Sequence, residues 1–270
     1  MFCIELIKEF LLEEKMKKIL GAAVACVAAL ALTGCGSSGN VSSAPFHLTE
    51  DSGCVGYYTF DDVEDDMIPD HSGAGLDLYS SALDGVQLQS GKFGQGLYFD
   101  GSEYLNLDPE VLEGEGFTVS VWVKAEKWDP WARIFDFGNA KARSDIFLCN
   151  DMRAPGMIGL CIEGNGDPVV SCRSPIPVPG KWVHVAATFG NGKVAMYLDG
   201  KLTQELDTDV TLEEISSDPV GLYIGRSNWA DPMFVGVMDD LLVFNHALSA
   251  KDVAALRAGI VLNAEEELEK

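Results

Sequence analysis

The sequence is short of basic residues, and this shortage excludes nucleic acid as a ligand. Its 270 residues include 19 lysines and arginines against 42 aspartates and glutamates, which gives a formal net charge of −23. A surface of this sign repels phosphate backbones and anionic lipid headgroups, whereas it attracts divalent cations. We therefore expect no nucleic-acid partner.

The sequence also lacks the motifs of common catalytic and zinc sites. It contains no Gly-x-Ser-x-Gly nucleophile motif, no phosphate-binding P-loop and no Cys-x-x-Cys pair. The four histidines are scattered, and His184 lies inside a β-rich run, where a packed histidine is a simpler interpretation than a catalytic base. We therefore predict that the protein is not an enzyme.

Long apolar runs are missing except near the N-terminus, where residues 19–32 fall short of the roughly 20 residues that span a bilayer as a helix. This run follows the basic stretch MKK at 16–18 and ends in LTGC at 32–35, which is the order of a secretory signal peptide. LTGC resembles the lipobox of bacterial lipoproteins, and the resemblance implies cleavage after Gly34 and lipid on Cys35. The alternative is a transmembrane anchor that ends by chance in cysteine. We therefore expect a secreted protein that is lipid-anchored to the bacterial cell membrane and faces outward.

The regions beside this signal complete the division of the chain. Residues 1–15 carry four glutamates ahead of the lysines, which does not fit a signal peptide, so we infer that translation starts at Met16. An intact mass that included residues 1–15 would contradict this. The stretch GSSGNVSSAP at 36–45 is typical of a flexible tether. The predicted segments are a leader (1–34, with the signal peptide at 16–34), a lipidated flexible tether (35–52), a globular domain (53–258) and an acidic tail (259–270).

The globular domain has the sequence pattern of an all-β protein. Residues 181–206 contain the turn signals Asn191-Gly192 and Asp199-Gly200, which separate three β-rich runs and predict an antiparallel meander. Roughly fourteen such short runs without interleaved helices indicate a two-sheet sandwich. One short C-terminal helix is predicted over residues 250–258, with Ser249 as N-cap.

The expected globular domain contains, in this order, the stretches GYYTFD (56–61), DHSG (70–73), GKFGQGLYFDG (91–101), FTVSVWV (117–123), WVHVA (182–186), YLDG (197–200), IGR (224–226), GVMDD (236–240) and NHALS (245–249). Taken together, these stretches resemble the laminin-G-like (concanavalin A-like lectin/glucanase) jelly-roll domain over about residues 53–258. The resemblance implies a two-sheet antiparallel jelly roll and a role in carbohydrate binding or adhesion, often with one bound calcium. The paired-acid pattern E-x-D-x-x-E of the glucanases with this fold is absent.

Three aspartates at predicted strand ends are candidate calcium ligands. Asp61 and Asp100 each close a strand, and Asp239 shares a strand side with Leu241 and Val243, so its carboxylate is expected to point inward. An inward carboxylate needs a cation or several backbone donors. In jelly rolls of this family these segments can meet near one edge, which implies a structural calcium at Asp61, Asp100 and Asp239. The alternative is that these side chains are solvated or hydrogen-bonded within turns.

Two predicted loops carry tryptophans of the kind that stack on sugar rings. Trp128 and Trp131 lie in WDPW, and Asn228 and Trp229 lie in NWADP. We interpret these four residues as the ligand-binding residues of a non-catalytic carbohydrate-binding surface lipoprotein. A loop tryptophan can equally cover the end of a sandwich. The alternatives are an adhesive or structural surface protein that binds another polypeptide and, less favoured, a glycoside hydrolase or lyase.

The cysteines of the expected mature domain leave their pairing open. Cys54, Cys149, Cys161 and Cys172 remain after the leader and the lipidated cysteine are set aside. Outside the cytoplasm they could form disulfides in three combinations, and the sequence does not choose among them. Buried free thiols are the alternative.

Overall fold

The computed structural model describes residues 44–262, apart from residues 65, 82–85, 142, 164–167 and 217–220. The predicted signal peptide, Cys35, the first part of the tether and residues 263–270 lie outside the described residues. No helix in the described part of the chain is long and apolar enough to cross a membrane.

The described residues form eighteen strands, two α-helices and two short 3-10 turns. The strands are β1 (Phe46–Leu48), β2 (Cys54–Tyr58), β3 (Met67–Ile68), β4 (Leu78–Tyr79), β5 (Leu88–Ser90), β6 (Gln95–Asp100), β7 (Leu105–Asn106), β8 (Gly116–Ala125), β9 (Arg133–Gly138), β10 (Asp145–Asn150), β11 (Met157–Ile162), β12 (Val170–Pro175), β13 (Val183–Gly190), β14 (Lys193–Leu198), β15 (Lys201–Asp207), β16 (Gly221–Ile224), β17 (Val235–Phe244) and β18 (Ile260–Leu262). The helices are α1 (Leu212–Ser216) and α2 (Ala250–Ala258), and the 3-10 turns are Glu50–Ser52 and Pro109–Leu112.

Two antiparallel sheets stack to form the sandwich, as the sequence predicts. One has six strands in the order β12-β11-β10-β9-β16-β7, and the other has eight, of which seven follow the order β15-β14-β13-β8-β17-β6-β5 and the last, β2, pairs with β17. Strand alternation explains the burial between them. Phe117, Val119, Val121 and Val123 of β8 all face the main core, whereas Trp122 faces the opposite side of the sheet.

The predicted hairpin turns have the expected backbone. Asn191 and Gly192 have φ of 55° and 71°, and Asp199 and Gly200 have 48° and 72°. Positive φ at both central residues defines the type I′ turn, whose twist matches that of the flanking strands. The meander β13–β14–β15 is therefore set by its own sequence.

The outer face of the eight-stranded sheet is covered by a second hydrophobic cluster, which extends the fold beyond the predicted domain. Helix α2 contributes Val253 and Leu256, and a parallel ribbon of β1 and β18 contributes Leu48. The prediction of a flexible tether up to residue 52 and a tail from residue 259 is therefore wrong for residues 46–52 and 260–262. Strands of three residues carry too little periodicity to be read from sequence.

Helix α2 has the predicted bounds and capping. The Ser249 hydroxyl accepts a hydrogen bond from the Asp252 amide, and Gly259 follows the last turn. Because this helix packs on the eight-stranded sheet, the face that remains for a ligand is the outer face of the six-stranded sheet. Its outward positions carry polar and charged side chains such as Arg133, Asp136 and Arg173.

Candidate functional site

A cleft of about 360 Å³ opens on the outer face of the six-stranded sheet. Its floor is Phe147 of β10, which faces outward because its neighbours Ile146 and Leu148 face the main core. The lining residues are Trp131, Arg133, Phe147, Arg153, Glu163, Trp229 and Asp231. They come from three regions of the chain. These are residues 131–133, which lead into β9, the β10–β11 hairpin with the residue that follows it, and the loop after β16.

Arg133 organises the cleft. Only 3% of its side chain is exposed, and its guanidinium carbon lies 4.0 Å from the centre of the Phe147 ring. Nε donates to Asp136 at 3.1 Å, Nη1 donates to the carbonyl of Trp131 at 2.6 Å, and Nη2 donates to Asp231 at 3.0 Å. Planar donors in a fixed fork suit such simultaneous recognition. One side chain thus ties both tryptophan-bearing loops to the sheet.

The two tryptophans of the cleft are held in different ways. Trp131 has φ of 63°, a left-handed conformation that a bulky residue adopts only when its surroundings impose it. Its carbonyl accepts from Arg133, and the guanidinium of Arg153 lies 5.0 Å from its ring centre. Trp229 stands edge-to-face on Phe147, with ring centres 5.9 Å apart, and remains 36% exposed. The Trp229 ring is thus exposed and held in place by the buried Phe147 ring, so a ligand can stack on it.

Arg153 and the acids around it form the other wall. Its guanidinium donates to Asp151 at 3.0 Å and to Glu163 at 3.2 Å. Asp151 is fully buried and also accepts from Arg173 at 2.8 Å. Burial opposes ionisation, but the hydrogen bonds from Arg153 and Arg173 outweigh it and hold the pKa of Asp151 below its usual value. The arginines of this wall are thus paired with carboxylates.

A buried acidic pair lies beneath the loop after β16. Asp136 and Asp145 have no exposed surface. Burial, together with the neighbouring Asp136, raises the pKa of Asp145 to about 10, so this carboxyl is protonated at neutral pH. Asn228 donates to Asp136 from its backbone at 3.1 Å and from its side chain at 2.9 Å. Asp145 Oδ2 and Asn228 Oδ1 are buried without a hydrogen-bond partner.

The structure brings together two of the four predicted ligand-binding residues. Trp131 and Trp229 both line the cleft. Asn228 is not among the lining residues but supports the loop from below through Asp136. Trp128 does not reach the cleft, because its ring packs against Phe234 of the main core and its indole nitrogen donates to the Pro177 carbonyl at 2.9 Å. Its prediction as a ligand-binding residue is not supported by this geometry.

The predicted calcium triad is not assembled, because Asp100 lies at the far end of strand β6. Asp61 accepts from the Gln95 amide at 2.6 Å, at the start of that strand. Asp100 ends it, roughly 16 Å further along at the usual rise per residue, and accepts from Ser102 in a turn. In the described part of the chain no three histidine, cysteine or acidic side chains are close enough to hold a metal ion.

Asp239 also departs from its expected orientation. A bulge at Asp240, which has φ of 46°, shifts the alternation of β17, so Asp239 pairs with the outward-facing Trp122 rather than sharing a side with Leu241. Asp239 is nevertheless buried, since the 91–94 turn covers it. The amides of Lys92 and Phe93 donate to its carboxylate at 2.6 and 2.9 Å. Backbone donors therefore satisfy this carboxylate, although burial raises its pKa to about 7.

His184 and the four cysteines have structural surroundings. His184 is buried as predicted, with Nε2 2.9 Å from the Ser120 hydroxyl, and burial lowers its pKa to about 3. All four thiols are free. Cys149 and Cys161 share one buried cluster with Phe147, against which Trp131 packs, whereas Cys54 and Cys172 lie in separate clusters.

Sequence reasoning missed most of the charged lining of the cleft. The strand RIFDFG over residues 133–138 places an arginine and an aspartate within an otherwise apolar strand, and this was the available signal for a polar outer face. Glu163 and Arg153 gave no such signal, because Arg153 lies in the turn between β10 and β11 and Glu163 directly follows β11, and only the fold brings both to the cleft. Asp231 adjoins Trp229, but only the fold shows that it pairs with Arg133.

Comparisons with known proteins agree with this architecture. The family model of the concanavalin A-like lectin/glucanases superfamily matches residues 99–254, which is more than half of the chain. The chain therefore belongs to this superfamily, and the resemblance inferred from its sequence is confirmed. A comparison with curated protein sequences finds no significant match.

Solved structures with the same fold come from binding domains and from a domain of an enzyme. Domain 4 of AbnA, a GH43 extracellular arabinanase from Geobacillus stearothermophilus, in complex with arabinotriose, is 22% identical, with a TM-score of 0.55 over 76% of this chain and 98% of that one. A botulinum neurotoxin type C structure, from work on its interaction with two ganglioside molecules, is 16% identical, with a TM-score of 0.54 over 76% and 50% of the two chains. The binding domain of botulinum neurotoxin DC in complex with rat synaptotagmin II is 15% identical, with a TM-score of 0.54 over 77% and 52%. These likenesses show the shared fold.

Proposed function

We propose that this protein is a lipid-anchored, outward-facing surface module that binds carbohydrate in the cleft without catalysing its cleavage. The observation that carries the proposal is the pair of tryptophans, Trp131 and Trp229, around a cleft of about 360 Å³ on the open face of the six-stranded sheet. The volume lies within the range of roughly 300–1,000 Å³ that is usual for small-ligand sites. Lipidation at Cys35 would keep this face outside the cell.

The lining suits a sugar chemically. A sugar ring has an apolar C–H face, which an exposed indole such as that of Trp229 can cover, and hydroxyls around its edge. Glu163 and Asp231 can accept hydrogen bonds from those hydroxyls. The lining thus combines three aromatic rings with four charged side chains, and specific small-ligand sites usually join an aromatic surface to a small number of placed polar groups.

The charges of the cleft favour a neutral sugar over an acidic one. Arg133 is paired with Asp136 and Asp231, and Arg153 is paired with Asp151 and Glu163. Each cation in the lining is therefore matched by carboxylates of the protein itself. A second anion from a ligand would have to displace one of these pairs, which costs free energy when the pair is buried.

The neighbours of known structure support a binding role by analogy of fold. The arabinanase domain was solved with arabinotriose, and one toxin structure concerns gangliosides. The synaptotagmin complex favours a polypeptide partner as the second candidate. Because the arabinanase domain is part of a GH43 enzyme, the test of the proposal also measures cleavage of the bound sugar.

The proposal keeps a structural calcium but assigns it no ligands, because the predicted triad of Asp61, Asp100 and Asp239 is not assembled. The net charge of −23 attracts divalent cations. Calcium should raise the melting temperature relative to chelator, and an unchanged melting temperature at millimolar calcium would contradict this part of the proposal.

A glycan array and a polysaccharide screen, each run with calcium and with chelator, test the binding function. We expect retention of neutral glycans, with binding weakened in Trp229→Ala. Trp182→Ala is the matched control, because Trp182 lies beside Lys124 at the start of β13 in the other sheet. A silent array combined with saturable binding of a purified surface protein would replace the proposal with the polypeptide alternative. Release of new reducing ends would replace it with hydrolysis.

A further inference from the structure

A second aromatic surface lies on the same face of the six-stranded sheet, on the far side of the loop that carries Trp229. Tyr104 and Tyr223 meet edge-to-face with ring centres 5.4 Å apart. The guanidinium of Arg226 lies 4.5 Å from the centre of one ring and 4.6 Å from the other. All three side chains are partly exposed. We refer to these three residues as the tyrosine platform.

Strand register fixes the position of the platform relative to the cleft. Phe147 pairs with Asp136 across β10 and β9, and Asp136 pairs with Tyr223 across β9 and β16. All three face outward, because the residues on either side of each face the main core. Two strand spacings separate the cleft floor from the platform, which is about 10 Å.

The loop between the two surfaces is itself a ridge with an aromatic top. Asn228 covers Asp136 through two hydrogen bonds, so the chain around it crosses the sheet between Phe147 and Tyr223. Trp229 stands on this ridge and is 36% exposed. Cleft, ridge and platform therefore follow one another across the strands, and their extent exceeds a single sugar ring.

Arg226 differs from the arginines of the cleft. Arg133, Arg153 and Arg173 are ion-paired, whereas the contacts of Arg226 within the described residues are to the two tyrosine rings alone. The rings hold its planar group in place, and its N–H donors have no hydrogen bond or ion pair within the described residues. Fixed donors on an aromatic base can bind the hydroxyls of a sugar that is already anchored elsewhere.

We propose that the tyrosine platform is a second subsite and that the ligand is an oligosaccharide of at least three units, bound from the cleft across Trp229 to Tyr223. This inference rests on the proposed function of the cleft. It adds that affinity grows with the length of the oligosaccharide, because a longer sugar chain reaches the tyrosine platform without a second loss of translational freedom.

Titration calorimetry with an oligosaccharide series of the glycan selected on the array tests the inference. Wild type should bind the hexasaccharide at least tenfold more tightly than the disaccharide. Tyr223→Ala should weaken hexasaccharide binding about fivefold and leave disaccharide binding unchanged. Trp229→Ala should weaken both. Tyr98→Ala is the control, because Tyr98 lies on the outer face of the other sheet.

The outcomes separate the two hypotheses. If wild type binds no glycan, the proposed function of the cleft fails. If wild type binds disaccharide and hexasaccharide equally, or if Tyr223→Ala leaves the hexasaccharide affinity unchanged, the cleft remains a sugar site and the second subsite is refuted. Because Tyr223 is partly exposed, its variant is expected to fold; Arg226→Gln gives an independent reading by removing the charge while keeping most of the side chain.

Discussion

Replacement of Arg133 by methionine should destabilise the protein more than any other single change at the cleft. The substitution keeps an unbranched side chain over Phe147 but removes the donors to Asp136, Asp231 and the Trp131 carbonyl. Asp136 has no exposed surface, so its charge cannot turn to water. The change therefore leaves a buried carboxylate without its cation.

The magnitude follows from the burial of each partner. Removing one member of a buried ion pair costs about 3–5 kcal/mol. Asp136 keeps two hydrogen bonds from Asn228, which favours the lower end of this range. The pair with Asp231 is 25% exposed and adds under about 1 kcal/mol. We expect a loss of about 3–4 kcal/mol in the free energy of unfolding, or about 10 °C in Tm for a domain of this size.

Equilibrium unfolding in urea measures this loss. Arg226→Met is the matched control, since Arg226 stacks on two tyrosines without an ion pair in the described structure, and it should cost about 1 kcal/mol or less. The double variant Arg133→Met with Asp136→Asn should recover part of the loss, because it removes the unpaired charge. A loss below about 1 kcal/mol in Arg133→Met, or one equal to that of the control, would refute the organising role of Arg133.

Three further predictions test other parts of the structure. Stability in chelator should fall as pH rises from about 5 to about 9: burial raises the pKa of Asp145 to about 10, so the folded state holds a proton that the unfolded chain has lost. In unfolding measured across this pH range, Asp145→Asn should flatten the fall in stability, and an unchanged dependence of stability on pH would argue against the raised pKa of Asp145. Leu48→Ala should cost about 2–4 kcal/mol in urea unfolding, because Leu48 is 6% exposed, whereas Val261→Ala on the partner strand, 37% exposed, should cost under about 1 kcal/mol; a flexible tether predicts no effect from either. Gly192→Ala should cost about 1 kcal/mol in the same assay, because φ of 71° disfavours a side chain even where there is room, and a neutral result would contradict the type I′ turn.

Local patterns in the sequence determined the class of fold. The alternation of Phe117, Val119 and Val121 places one face of β8 in the core, and the Asn191-Gly192 and Asp199-Gly200 turns fix the meander register. The capping of α2 by Ser249 is equally local. Each of these features depends on residues that lie a few positions apart, so a short stretch of sequence is enough to predict it.

The cleft, by contrast, depends on contacts between residues that are distant in sequence. Trp131 and Trp229 are far apart in sequence, and the tertiary fold joins them through Arg133, Phe147 and Asp231. Trp128 lies only three residues before Trp131, yet its ring packs against Phe234 of the main core, whereas the Trp131 ring lines the cleft. In the same way, the carboxylates that pair with the buried Arg133 are determined by the strands and loops that fold around it.

The acidic composition thus follows from sequence alone, as do the sandwich, its turns and its capped helix. Only the tertiary structure decided that Asp100 lies at the opposite end of β6 from Asp61, that a bulge at Asp240 turns Asp239 away from the inter-sheet core, and that β1 pairs with β18. The physical reason is the same in each case. Strand register, bulges and parallel pairing between distant segments are set by the total burial of the two sheets, and a one-residue shift reverses the face on which every side chain lies.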